Sequence, residues 1–118
     1  MQPIIFEVDG RAISWNQAHS GVHWAVRMKV DDKMKWDVKA GLLKFRINKT
    51  PLEVPIKISF EVYVGRPIDC DNVCLKFYID GLRDWGLLKN DDPQFVSEIA
   101  VKVITKSKKE FVKITITD

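Results

Sequence analysis

Cysteine is scarce, with only Cys70 and Cys74 in 118 residues. Two thiols cannot build a disulfide framework, so the fold must rest on its hydrophobic core. No apolar run approaches the ~18 residues of a membrane span. Nor does the N-terminus read as a signal peptide, because Glu7 and Asp9 follow its short apolar stretch at once. A cytoplasmic location without a membrane partner is therefore expected. The six glycines are scattered, which excludes a glycine-rich phosphate loop. His19 and His23 have no matched serine or cysteine motif, so no nucleophilic triad suggests itself. Repeats, low-complexity stretches and Gly/Ser linkers are also missing. What remains is 46% hydrophobic and 30% charged, too apolar for a disordered chain. At 13.6 kDa, residues 1–118 are expected to form one domain.

The formal net charge is +3, which alone says little about a partner. Its distribution says more. Residues 1–68 carry 11 basic and 7 acidic side chains, residues 69–92 carry 3 and 6, and residues 93–118 carry 5 and 3. An acidic island thus lies between two basic flanks. A metal centre inside a phosphate-binding surface has this pattern, and so does a helix with a solvated acidic face.

Alternation of Ile4, Phe6 and Val8 with Ile5, Glu7 and Asp9 predicts a strand. Asp9-Gly10 marks a turn, and Ile13-Ser14-Trp15-Asn16 is expected as a loop. Val26, Val30, Met34, Val38 and Leu42 then recur every fourth residue, with Phe45 continuing the stripe. This predicts a long helix capped by Ser20 and running to about Arg46, roughly 40 Å at 1.5 Å per residue. Lys29, Lys33, Lys35, Lys39, Lys44 and Arg46 lie mostly off the stripe. A second subunit is expected to help cover so long a helix. Val54 to Val64 alternate as a half-buried strand with Pro55 near its start. A shorter helix is expected from Asp71 or Asn72, carrying Leu75, Tyr78, Ile79 and Leu82 inward and stopping at Gly86. Phe95, Ile99, Val101 and Val103 predict a third strand. Lys106 to Lys109 form a basic turn, and Val112, Ile114 and Ile116 are expected as the hairpin partner. The order β-α-β-α-β-β predicts an α+β fold, two helices on a small mixed sheet.

Asp69, Asp71, Asp80, Asp84, Asp91 and Asp92 fill the acidic island. Asp69 and Asp71 are two apart, and such side chains project to one side of extended backbone. Asp91 and Asp92 sit in the loop feeding the third strand. If that strand lies beside the preceding elements, three or four carboxylates converge. Hard oxygen donors of this kind suit magnesium, and paired ions can clamp the attacking and leaving oxygens of a phosphodiester. The same residues also fit a helix cap at Asp71 and an Asx-type turn at Asp91-Asp92. Lys76 is placed to stabilise phosphate charge or to be a solvated helix lysine. Arg66 is a candidate phosphate contact or a surface cation. His19, His23, Cys70 and Cys74 are a possible zinc set without tight Cys-x-x-Cys spacing, and Cys74 reads better as a core residue. Four tryptophans, Trp15, Trp24, Trp36 and Trp85, are many for this length; Trp24 and Trp36 flank the basic helix and can stack on unpaired bases, although core or dimer-interface anchoring is the preferred expectation.

The run Arg66-Pro67-Ile68-Asp69-Cys70-Asp71-Asn72, then Asp80-Gly81-Leu82, Gly86-Leu87-Leu88 and Asn90-Asp91-Asp92-Pro93-Gln94-Phe95-Val96 resembles the RusA family of Holliday-junction resolvases. The similarity covers residues 66–96 most strongly. It extends more weakly over the loop from Gly10 to Asn16 and over Gly21-Val22-His23-Trp24. It implies a homodimeric, RusA-like endodeoxyribonuclease of DNA recombination and repair, cutting branched DNA by paired nicks. It further implies a magnesium site in each subunit, with manganese as a substitute. By motif position, Asp69, Asp71 and Asp92 match the essential carboxylates, and Asp91 assists in holding metal. Lys76 matches the family lysine after one extra residue, Leu75 standing at the strict position. Arg66, Asn16, Arg27 and Lys29 are the expected DNA contacts. The alternative is a non-catalytic module of the same fold that binds branched DNA.

Overall fold

Alternating apolar residues build four strands, β1 (Ile4–Asp9), β2 (Ile56–Tyr63), β3 (Val96–Ile104) and β4 (Phe111–Thr117). They are seen in a computed structural model that describes residues 1–19 and 24–118. The strands form one mixed sheet in the order β1-β4-β2-β3. β4 runs antiparallel to β1 and β2, whereas β2 and β3 are parallel. The register aligns three apolar rows across the sheet: Ile4-Ile116-Ile58-Ile99, Phe6-Ile114-Phe60-Val101 and Val8-Val112-Val62-Val103. Since side chains alternate between faces, all three rows share the core side. On the other side Glu7-Lys113-Glu61-Lys102 form a row of alternating charge, which suits an open, solvated face.

Three α-helices complete the described residues: α1 (Trp15–His19), α2 (Trp24–Lys44) and α3 (Lys76–Trp85). Met34, Val38 and Leu42 are buried at four-residue spacing along α2. Two glycines let α2 approach its neighbours closely. A Cβ on Gly41 would run into the Glu7 carbonyl of β1, and one on Gly81 of α3 would run into Val38. The molecule is thus a small single-domain α+β fold, with the core between the helices and one face of the sheet. None of its described helices is long and apolar enough to cross a membrane.

Several expectations need correction. Trp15 and Asn16 open the helix α1 rather than belonging to a loop, because Ser14 and Gln17 form a reciprocal capping box. The Gln17 N–H donates to Ser14 Oγ at 3.1 Å, and the Ser14 N–H donates to Gln17 Oε1 at 3.0 Å. α2 stops at Lys44, since the chain turns back at Arg46 with φ of 55°; Phe45 is consequently exposed. The expected cap Ser20 and the helix start at Gly21-Val22-His23 lie outside the described residues. Asp71 and Asn72 do not cap α3. They belong to a single 3-10 turn, Cys70–Asn72, after which Val73 pairs with Ser14 and the Cys74 N–H donates to the Ile13 carbonyl. That tie keeps the backbone extended, so α3 begins only at Lys76. Tyr78 and Leu82 are buried as expected, together with Phe77 and Trp85, while Leu75 and Ile79 are half-buried. Gly86, with φ of 100°, ends α3 as expected.

The largest correction concerns topology. β3 and β4 are not a hairpin, because β2 lies between them. The connection from Thr105 to Glu110 is long enough to pass one strand, and its Lys106 and Ser107 N–H groups donate to the carbonyls of Gly65 and Val64. β2 and β3 can be parallel neighbours because the turn at Cys70–Asn72 and α3 supply the crossover that parallel strands require. A register shift between Ile56 and Lys57 makes Val96, not Phe95, the buried residue at the start of β3.

Candidate metal and nucleic-acid site

The two aspartate pairs of the acidic island have different surroundings. Asp69 precedes the 3-10 turn in extended backbone (φ −69°, ψ 139°) and its side chain makes no capping bond. Asp71 lies within the turn. Both are exposed, and no hydrogen bond or ion pair reaches either carboxylate from another described residue. The turn also packs against β3.

Asp91 and Asp92 are engaged locally. Asp92 Oδ1 accepts the Gln94 N–H at 2.9 Å, and Oδ2 accepts Asn90 Nδ2 at 3.1 Å. The Asp92 carbonyl also accepts the N–H groups of Phe95 and Val96. This is the Asx-type turn, and it leads the chain into β3. Asp91 lies 3.8 Å from Arg83, which is also 3.6 Å from Asp80. Arg83 was not singled out in the sequence, yet it joins α3 to the Asp91 loop. Its position three residues after Asp80, on one helix face, was the available signal.

Among the described residues, no three His, Cys, Asp or Glu side chains come together in a group able to hold a metal ion. The expected set of Asp69, Asp71, Asp91 and Asp92 is therefore not assembled as an all-protein cage. The reason is local: Asp92 satisfies the backbone of its own turn. Asp69 and Asp71 nevertheless fit magnesium by donor chemistry. They are unengaged hard oxygen donors two residues apart, and magnesium is ordinarily held by one or two carboxylates supplemented by water and substrate phosphate. The zinc set fares worse. His23 lies outside the described residues, Cys70 is exposed and Cys74 is fully buried in the core. Burial pushes the Cys74 thiol above its ordinary range, the opposite of what a thiolate ligand needs.

Lys76 opens α3 and is exposed, whereas Leu75 at the strict motif position is half-buried. Lys76 lines a recess of about 180 Å³ with Arg27, Asp31, Lys35, Phe77 and Asp80. Of the expected DNA contacts, Arg27 lines this recess, Lys29 is exposed on α2 outside its lining, and Asn16 is exposed on α1. Arg66 lies at another corner. There, Arg11, Gly65, Arg66, Ser107, Lys108 and Glu110 surround a recess of about 330 Å³. Glu110 organises that corner. Its Oε2 accepts the Gly65 N–H at 3.0 Å and Arg11 Nη1 at 2.9 Å, and these two bonds hold its carboxyl below the usual range. The Arg66 carbonyl accepts Arg11 Nη1 at 3.1 Å, which orders the backbone that carries the Arg66 side chain.

The tryptophans divide. Trp85 is buried, with its Nε1 donating to the Ile47 carbonyl at 3.1 Å. Trp36 is 68% exposed, so the core-anchor expectation does not apply to it. No protein-family model matches this chain, and no curated protein matches it.

Proposed function

We propose that this chain is a magnesium-dependent, structure-specific endodeoxyribonuclease of the RusA type, resolving four-way DNA junctions as a homodimer. One observation carries the proposal. In the Asp69-Cys70-Asp71-Asn72 motif both aspartates are exposed, and no other described residue engages either carboxylate. A paired, solvent-facing carboxylate motif with no structural use suits a metal that shares its coordination with a substrate phosphate.

Bound magnesium supplies charge stabilisation and an activated water for phosphodiester hydrolysis. The protein's own residues bind and orient. Asp69 and Asp71 hold the cation; Lys76, with Arg27 in the same recess, offers positive charge to a phosphate oxygen. Arg66 and Lys108 present further cations for phosphates of a DNA arm, giving binding that falls with salt. Asp92 shapes the turn before β3, and Asp91 stays near Arg83. A four-way junction has two-fold symmetry, so a two-fold dimer offers one site to each of two strands.

Because the four carboxylates do not converge among the described residues, a second reading is kept: a module that binds branched DNA without cutting it. Cleavage of a labelled four-way junction with a mobile core separates the two. It is run with magnesium, with manganese, with chelator and with the Asp71→Asn protein. Matched nicks that require both the divalent metal and Asp71 support the nuclease. Tight junction binding without nicks under either metal supports the binding module.

A further inference from the structure

A second recess lies along the same pair of helices and has no part in the carboxylate motif. α2 and α3 form a cleft of about 380 Å³ whose walls include Lys35, Trp36, Lys39, Lys49 and Trp85. That volume lies within the ~300–1,000 Å³ of small-molecule sites. Its residues serve different ends. Trp85 is locked by its bond to the Ile47 carbonyl, and Lys49 Nζ lies 4.4 Å from its ring centroid. Trp36 is the opposite case, largely exposed, with Lys39 Nζ 5.3 Å from its ring centroid. The two contacts keep an ammonium beside each indole. Asp32 and Asp84 also line the cleft and add carboxylate acceptors to its wall.

An exposed indole, nearby ammonium groups and a carboxylate acceptor match the three parts of an unpaired nucleotide. A base stacks on an aromatic ring, its phosphate pairs with lysine, and an exocyclic amino group donates to a carboxylate. We infer that this cleft takes an unpaired, amino-bearing nucleotide of single-stranded DNA. Trp36 is the stacking platform, Lys35, Lys39 and Lys49 face the backbone phosphates, and Asp32 or Asp84 accepts from the base. Lys35 also lines the recess that holds Lys76 and Arg27, so the two recesses share one lysine. The inference rests on the nucleic-acid reading above, but its test does not require cleavage.

The test is equilibrium binding of the whole protein to a labelled oligodeoxycytidylate of about ten nucleotides, within usual single-strand site sizes. It is read by anisotropy and tryptophan quenching in chelator. Expected are salt-sensitive binding, at least about fivefold loss in Trp36→Ala, weakening in Lys39→Glu, and near-parental binding in Trp36→Phe. Oligodeoxythymidylate is expected to bind about fivefold more weakly or worse, lacking the amino donor. The phenylalanine variant separates lost stacking from a damaged fold. Parental affinity in Trp36→Ala, equal affinity for the two oligonucleotides, or no binding by the parent overturns the inference. Displacement of the oligonucleotide by an acidic, tyrosine-rich peptide at equal concentration also overturns it. Junction nicking without oligonucleotide binding removes the cleft and leaves the nuclease. Trp36-dependent binding without nicking does the reverse.

Discussion

Asp69–Asp71 and Asp91–Asp92 are alike in composition and opposite in use. Asp69 precedes and Asp71 lies within a 3-10 turn, which the Asn72 N–H closes by donating to the Asp69 carbonyl and which the Cys74 N–H follows by donating to the Ile13 carbonyl. No other described residue donates to either carboxylate, and both residues are exposed. The second pair enters β3 through a turn with donors close at hand, at Gln94 N–H and Asn90 Nδ2. Asp92 becomes a structural residue as a result. An aspartate's role thus follows from whether the local turn brings a donor onto its carboxylate. Composition alone does not distinguish the two outcomes.

The sharpest break in this contrast is Asp71→Asn. Under the nuclease reading, magnesium-dependent junction cleavage is expected to fall about a hundredfold or more. Unfolding free energy should stay within about 0.5 kcal/mol of the parent. Single-turnover cleavage and urea unfolding check the two halves. A stability loss in Asp71→Asn matching that of Asp92→Ala would erase the distinction. For Asp92→Ala the balance reverses: loss of the turn bonds is expected to lower stability by ~1 kcal/mol, seen as a lower urea midpoint. A smaller effect is expected from Arg83→Ala. Its pairings with Asp80 and Asp91 are long and exposed, worth at most about 0.5 kcal/mol, and chemical unfolding should barely move.

Titration extends the comparison to groups whose surroundings do shift them. The Gly65 N–H and the Arg11 guanidinium lower the Glu110 carboxyl. Its contribution is therefore full above the ordinary carboxylate pKa and is lost as pH falls through the lower folded value. NMR signals of Gly10, Gly65 and Glu110 are expected to move late in an acid titration. Burial raises the Tyr78 hydroxyl well above its ordinary pKa of 10.0. The folded state keeps that proton where the unfolded chain releases it, so stability is full below pH 10 and declines above it. Thermal unfolding followed by circular dichroism at rising pH checks the sign.

Much of the architecture was legible because it rests on periodicity. Alternation located all four strands, and four-residue spacing located α2. Gly86 marked the end of α3 because a left-handed residue there favours glycine. The Ser14…Gln17 capping box was also written in the sequence, although Ile13 to Asn16 reads as loop when only hydrophobic pattern is followed. The start of α3 was less accessible. Asp71 and Asn72 are good caps by type, but pairing of Val73 with Ser14, nearly sixty residues away, holds that stretch extended.

Local periodicity therefore carries the four strands, α2, the body and end of α3 and most of their buried faces, and residue type marks the groups with unusual chemistry. Local spacing encodes these, and hydrophobic burial enforces them. Tertiary structure alone decided that β2 separates β3 from β4, because strand order depends on which crossover packs, not on strand adjacency in the chain. It also decided that Asp92 supports a turn while Asp69 and Asp71 remain unengaged, and that Trp36 faces a cation-lined cleft while Trp85 is buried. Each of these depends on groups distant in sequence but near in space, and no local pattern carries that information.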